Sequence, residues 1–359
     1  MLAYQLLSRR DDKASSIHLI MAVADHFEPA IVLGGGRARA ELIEQQRRLE
    51  RWCSEYPKAV SPWVDSDGQT FRHTYFYPAE QYEKSIVERL AEHCRAGWGE
   101  LEIHLHHGVD TPDSHENARM TIMKFRDHLA ALGCLSETEK GGLARFAFVH
   151  GNWALANILG GPCCGVDDEL QLLADLGCYA DFTLPAFPHP SQIAKINSIY
   201  ECALPLERRA PHRHGKDLRV GEPPTKFPLI VQGPLLLDLT RKIRGFPFPR
   251  FENGELTDAH PPSMARSRLW RRMQITVRGR PEWIFIKLHC HGMDPRDTSS
   301  MYGDLLRSFL QQMYDLKNRE GVHVHYVTAR EIVNIMLAAC DGHEGDPGGF
   351  RDYRLRKRT

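Results

Sequence analysis

The sequence predicts an α/β fold: an irregular barrel of seven or eight parallel strands with an insertion over one rim. Three observations predict it. Apolar runs alternate with amphipathic segments along most of the 359 residues. The order strand then helix repeats, which implies parallel strands joined by right-handed crossovers. Polar, chemistry-bearing residues gather where the apolar runs end, and α/β folds place their sites there. A chain of this length can bury a substantial core without disulfides, and 1–359 reads as a single domain.

The first run, "IHLIMAVA" (17–24), is β-branched and aliphatic, reads as a buried strand and ends at Asp25. "RARAELIEQQRRLERWCSEY" (37–56) has helical spacing and charge, and "FRHTYFYP" (71–78) is aromatic and strand-like. "AEQYEKSIVERLAEHCRAG" (79–97) is amphipathic and closes on Gly97, a helix stop. "ELEIHLH" (100–106) alternates with period two, which puts Glu102, His104 and His106 on one face. "NARMTIMKFRDHLAALG" (117–133) is again a helix ending on glycine. Further strands are predicted at 145–151, 178–185, 226–237, 282–292 and 321–328, and further helices at 302–318 and 329–340. Between about 205 and 281 the alternation weakens while Pro, Arg and His accumulate. This stretch reads as the rim insertion, with His212 and His214 solvated.

Composition excludes several classes. Lys+Arg and Asp+Glu are both 46, so no net charge draws the chain to nucleic acid or an anionic membrane. No apolar run approaches the roughly 18 residues of a membrane span. Nine cysteines at irregular positions, with no CxxC, argue against a disulfide framework and for a reducing compartment. The opening "MLAYQLLSRRDDKASS" is charged by residue 9 and does not read as a signal peptide, so a cytoplasmic protein is expected. The Gly34–Gly36 run has no Lys-Ser/Thr after it and reads as a flexible loop, not a P-loop.

Histidine is the unusual count, at 19. Asp25 and His26 follow the first strand, and His104, His106, His107 and Asp110 sit at and after the third. His150 and Asn152 follow the fourth, and His289 and His291 end a late one. On a barrel these would face one rim. Imidazole nitrogen and carboxylate oxygen are the ligand set of a catalytic zinc or similar divalent ion. Such an ion acidifies bound water, a carboxylate takes the proton, and a histidine can protonate a leaving group. His323 and His325 alternate on a predicted strand and read as structural, and Asp167-Asp168-Glu169 reads as a helix start.

The order of these features resembles the polysaccharide deacetylase superfamily, metal-dependent hydrolases on an irregular (β/α) barrel. In that family the opening strand ends in Asp-Asp, a general base and then a metal ligand; "AVADHFEP" places Asp25 and His26 there. An aromatic strand follows, here "HTYFYP", then a helix, a glycine and Glu-Ile ahead of two metal-binding histidines four apart. "GELEIHLHHGVD" offers Glu102-Ile103, then His106, then Asp110. "FVHGNWA" stands where the family has an Arg-Pro motif, and "FIKLHCHG" matches the late strand with the catalytic acid, at His289 or His291. The resemblance spans roughly 17–160 and 282–340. It implies Asp25 as base, a metal held by His26, His106 and Asp110, and substrate contacts from His150, Asn152 and Trp153. Strand geometry offers a second set, His104 and His106 with Asp25; His106 is common to both, and His104 is a ligand or a partner of one.

The resemblance implies one divalent ion, zinc foremost, and hydrolysis of an acetyl or related acyl group on an amino sugar, glycan or similar amide or ester. Two rival readings remain. One is a metal-dependent glycoside hydrolase, which needs a carboxylate pair such as Asp25 with Asp181 or Glu169. The other is a catalytically degenerate glycan-binding barrel. The expected partner is a carbohydrate or acetylated small molecule, without nucleic acid or membrane, and the oligomeric state is not legible.

Overall fold

The run at 17–24 becomes the central strand of a large, mostly parallel sheet. The computed structural model describes residues 16–34, 38–108, 110–239, 242–243, 246–319 and 321–358. The opening 1–15 and most of the Gly34–Gly36 run lie outside them. The N-terminal half contains β1 (Ile17–His26), α1 (Leu42–Val60), β2 (His73–Pro78), α2 (Lys84–His93), β3 (Gly99–Leu105), α3 (His115–Ala131), β4 (Phe146–His150) and α4 (Glu169–Asp175). After it come β5 (Cys178–Asp181), β6 (Ile199–Cys202), β7 (Gly215–Asp217), β8 (Leu229–Val231), β9 (Leu236–Asp238), β10 (Arg250–Glu252), β11 (Glu255–Leu256) and α5 (Met264–Arg272). The chain closes with β12 (Trp283–Cys290), α6 (Thr298–Met301), α7 (Asp304–Lys317), β13 (Val322–Val327) and α8 (Ala329–Cys340).

The sheet runs β11-β12-β1-β2-β3-β4-β5-β8-β6-β7. It is parallel as far as β8, and β6 is antiparallel to both β8 and β7. Among the described residues this path is open at both ends, so strand pairing there does not close the ring that the strand count predicts. β1 has an unusual edge. Along one side it pairs with β12 from His18 to Asp25. Along the other it pairs with β13 from Ile17 to Ala22 and with β2 from Val23 to His26.

Both faces of β1 are covered, which is why its sequence is a continuous apolar run. Leu19, Met21 and Val23 pack in a core with Trp52 and Tyr56 of α1, Leu90 of α2 and Phe309 of α7. Ile20, Ala22 and Ala24 pack on the other side with Trp283, Phe285 and Ile332, Val333 and Met336 of α8. Every residue of α8 is buried, and Thr328 and Glu331 form a reciprocal capping box at its start.

Several boundaries moved for identifiable reasons. The 226–237 run splits into β8 and β9 because Gly233-Pro234 interrupts it. The predicted 302–318 helix is α7 (Asp304–Lys317), which starts just after Gly303, and the short α6 precedes it. Gly97 ends the segment after α2 at φ +95°, as a helix-stopping glycine should. The 205–281 stretch supplies β8, an interior strand, in addition to its excursions. His212, expected in solvent, is buried, and its carbonyl accepts the Tyr200 hydroxyl. His325 packs internally against His18 and Asp67. No helix among the described residues is long and apolar enough to cross a membrane.

Candidate functional site

The parallel register sets a common rim. Ala24 lies opposite His289, His26 opposite Phe76, Pro78 opposite His104, and Leu105 opposite His150. Side chains alternate along each strand, so His26, His104 and His289 continue one face while Asp25, Leu105 and Cys290 continue the other. The first face carries the α8 core below and a histidine cluster above.

Glu28 stands at the centre of that cluster. Its Oε1 lies 3.2 Å from His104 Nε2 and 3.5 Å from His106 Nε2. Donor atoms of His26, Glu28 and His291 lie within 4.8 Å of one another, as do those of Glu28, His104 and His106. The His26 ring centroid is 5.0 Å from that of His104 and 4.9 Å from that of His291. The outward nitrogens are engaged: His104 Nδ1 bonds to the Val149 carbonyl at 3.1 Å, and His106 Nδ1 to Glu80 Oε1 at 2.8 Å. A carbonyl or carboxylate on Nδ1 leaves the Nε2 lone pair for a metal.

The charges are strongly coupled. Burial and then the neighbouring imidazoles of His291, His104 and His289 hold His26 well below its ordinary value. Burial pushes Glu28 up, but hydrogen bonds from His104 and His106 outweigh it and hold the carboxyl well below the usual range. Burial pulls His106 down, yet its bonds to Glu28 and Glu80 push it up to about 10. His26 Nδ1 is buried without a hydrogen-bond partner. An orphaned imidazole nitrogen beside a carboxylate and three more imidazoles fits a divalent cation with nitrogen and oxygen ligands.

Asp25 is not part of this group. Its carboxylate accepts the Gly292 N–H at 2.6 Å and pairs with His73 Nδ1 at 2.9 Å, on the α1 side of the sheet. A Cβ on Gly292 would sit 2.3 Å from Asp25 Oδ2, so only glycine permits this approach. Asp25 therefore anchors the turn that carries His291. Asp110 is exposed and belongs to neither group, and Glu28 is the carboxylate the two groups share. Glu102 lies below His104, accepting the Ala147 N–H and the Tyr179 hydroxyl.

β12 brings two more groups to the cluster's face. His289 is buried with Nδ1 unpartnered, its ring centroid 6.2 Å from that of His26. Lys287, one step deeper, is also buried and donates to the Leu184 carbonyl at 3.0 Å. Burial pulls the Lys287 ammonium down to about 7 and pushes Asp181 up to about 7.

The 150–153 turn divides. His150 is fully buried and faces His107, away from the cluster. Asn152 is half-buried, and Trp153 is half-buried with its ring 5.9 Å from His189. Sequence reasoning missed Glu28, Glu80 and Lys287. Glu28 follows His26 by two residues and keeps its side, which is a readable signal. Lys287 is a charge inside an apolar strand, also readable. Glu80 meets His106 only through the fold.

No family model matches the chain, and no curated protein matches it. Among solved structures, a protein of Mycobacterium smegmatis described as a "putative polysaccharide deacetylase" aligns over 98% of this chain and 96% of its own. The identity is 13% and the TM-score 0.42.

Proposed function

We propose that this chain is a metal-dependent hydrolase that removes an acetyl or related acyl group from an amino sugar, glycan or similar amide or ester. The convergence of His26, His104, His106 and His291 on the Glu28 carboxylate carries the reading. Two groups share Glu28, one with His26 and His291 and one with His104 and His106; either would hold the ion through two imidazoles and a carboxylate, a donor set that suits zinc and leaves a position open. When bound there, a divalent ion would supply polarisation of an acyl carbonyl and a lowered pKa for water.

The chain's own residues do the rest. Glu80 and the Val149 carbonyl orient His106 and His104. Asp25, through Gly292, holds the turn bearing His291 in place. His289 presents its free Nδ1 at the edge of the cluster, where it can carry a proton to or from the reacting group. Trp153 and His189 offer flat faces for a sugar ring. A glycosidase needs two opposed carboxylates, and Asp25 and Glu169 are both turned away from the cluster.

The test is elemental analysis of protein purified without a metal-affinity tag, beside His106→Ala, followed by acetate release from acetylated sugars. The reading expects a zinc-like ion lost or weakened in the variant and acetate release that depends on it. A wild-type protein that takes up no metal at the Glu28 cluster on reconstitution would leave a glycan-binding barrel in its place.

A further inference from the structure

We propose a second cation site, separate from the Glu28 cluster, formed by His107, His150 and Glu169. Its side chains come from three elements: the loop after β3, the end of β4, and the first residue of α4. All three side chains are fully buried. His107 Nε2, His150 Nε2 and Glu169 Oε1 are all without a hydrogen-bond partner, and they converge within 4.8 Å. His107 Nε2 is 2.7 Å from Glu169 Oε1 without hydrogen-bond alignment. The two rings stack with centroids 4.9 Å apart.

His107 Nε2 and Glu169 Oε1 face each other as a fully buried ion pair, and His150 Nε2 beside them is buried without a partner, a polar group that costs about 1–3 kcal/mol when left so. A cation satisfies all three at once. The far side of each group is already fixed. His107 Nδ1 pairs with Asp113 Oδ2 at 2.7 Å, the carboxylate–histidine arrangement that leaves Nε2 to a metal. Glu169 Oε2 accepts the Ala156 N–H at 2.5 Å. His150 Nδ1 accepts the Asn152 N–H at 3.2 Å. Gly165 adds a further sign of a built site: a Cβ there would lie 2.5 Å from Glu169 Oε2 and 3.1 Å from His150 Nε2.

Two imidazoles and one carboxylate suit a zinc-like ion. Its role is mechanical. It ties the loop carrying His107 to β4 and α4, and His106, the next residue back, points the opposite way into the Glu28 cluster. The ion therefore braces a ligand of the first site without touching substrate.

The experiment loads full-length, untagged protein with zinc and counts ions per chain in wild type, Glu169→Gln and His106→Ala. The expectation is about two ions in the wild type and about one in each variant. Glu169→Gln at the wild-type count would overturn the proposal, whatever His106→Ala does. Should Glu169→Gln fail to fold, crystals of the zinc-loaded wild type decide. Anomalous density between His107 Nε2 and Glu169 Oε1 supports the site, and its absence there removes it even if the Glu28 cluster is filled.

Discussion

Glu80→Gln isolates what a residue outside the ligand shell contributes to the Glu28 cluster. Glu80 Oε1 receives the His106 Nδ1–H at 2.8 Å, and Oε2 accepts the His106 backbone N–H at 3.3 Å. Glutamine keeps an acceptor oxygen and the side-chain shape but removes the charge. A hydrogen bond to a charged group contributes about 1.5–3 kcal/mol and a neutral one about 0.5–1.5, so the exchange costs about 1–2 kcal/mol at His106. At about 1.4 kcal/mol per tenfold, metal binding to the cluster weakens about 5- to 30-fold. That range overlaps the roughly 10- to 100-fold losses seen when outer partners of metal-bound histidines are changed. Competition against a chromophoric chelator with zinc or cobalt measures it. Because Glu80 is partly exposed, the fold should tolerate the change, and thermal unfolding of the metal-free variant checks this. Affinity unchanged within about twofold, in a variant that unfolds normally, would refute the idea that Glu80 orients a ligand.

Three other outcomes follow. Burial pulls His93 down from 6.5 to about 4, and it remains neutral against the Tyr75 hydroxyl. The unfolded chain therefore binds the proton first, so stability is full above pH 6.5 and falls toward pH 4, by at most about 3 kcal/mol from this group. Denaturant titrations at neutral and mildly acid pH, with His93→Gln as the flatter comparison, test this. Arg330→Met takes from the buried Glu100 its nearest cation, Nη2 at 2.8 Å from Oε1, and leaves it Lys357 at 3.1 Å and the Thr328 hydroxyl; the loss in urea unfolding should be clear but below the roughly 3–5 kcal/mol of a wholly unpaired buried charge, and a loss within error of zero contradicts it. Lys287→Met should lower turnover while leaving metal content intact, because Lys287 lies beneath His289 and touches no proposed ligand; full activity in that variant removes Lys287 from the site.

The parts of the molecule made of long elements were legible. β1, β3, β12 and α8 each carry enough residues for a period or a continuous apolar run to declare itself, and α8 was placed at 329–340, where it lies. The period-two reading of "ELEIHLH" also holds: His104 and His106 both face Glu28. The 205–281 stretch is opaque because its strands are two or three residues long, too short for any period to show. At the site, a family spacing points to Asp110, which lies exposed, while Glu28, two residues after His26, is the carboxylate grouped with the histidines. Glu169 read as a helix start because acidic residues favour that position; it does begin α4, yet it is buried against His107. Ligand identity depends on where carboxylates arrive in space, and spacing along the chain records that only within a single element.

The divided edge of β1 bears on how the protein is made. A ribosome delivers β1 first and β12 and β13 last, some 260 residues later. Until then the first half of β1 has no strand on either side, and only its second half can pair, with β2. The nascent chain thus carries an apolar strand with open edges through most of its synthesis, the kind of segment that sticks to other chains. The same late arrival brings His291 to His26. A product released before β12 lacks both the seal on its central strand and a side chain of its histidine cluster, so partial synthesis should yield aggregation-prone chains with an incomplete cluster.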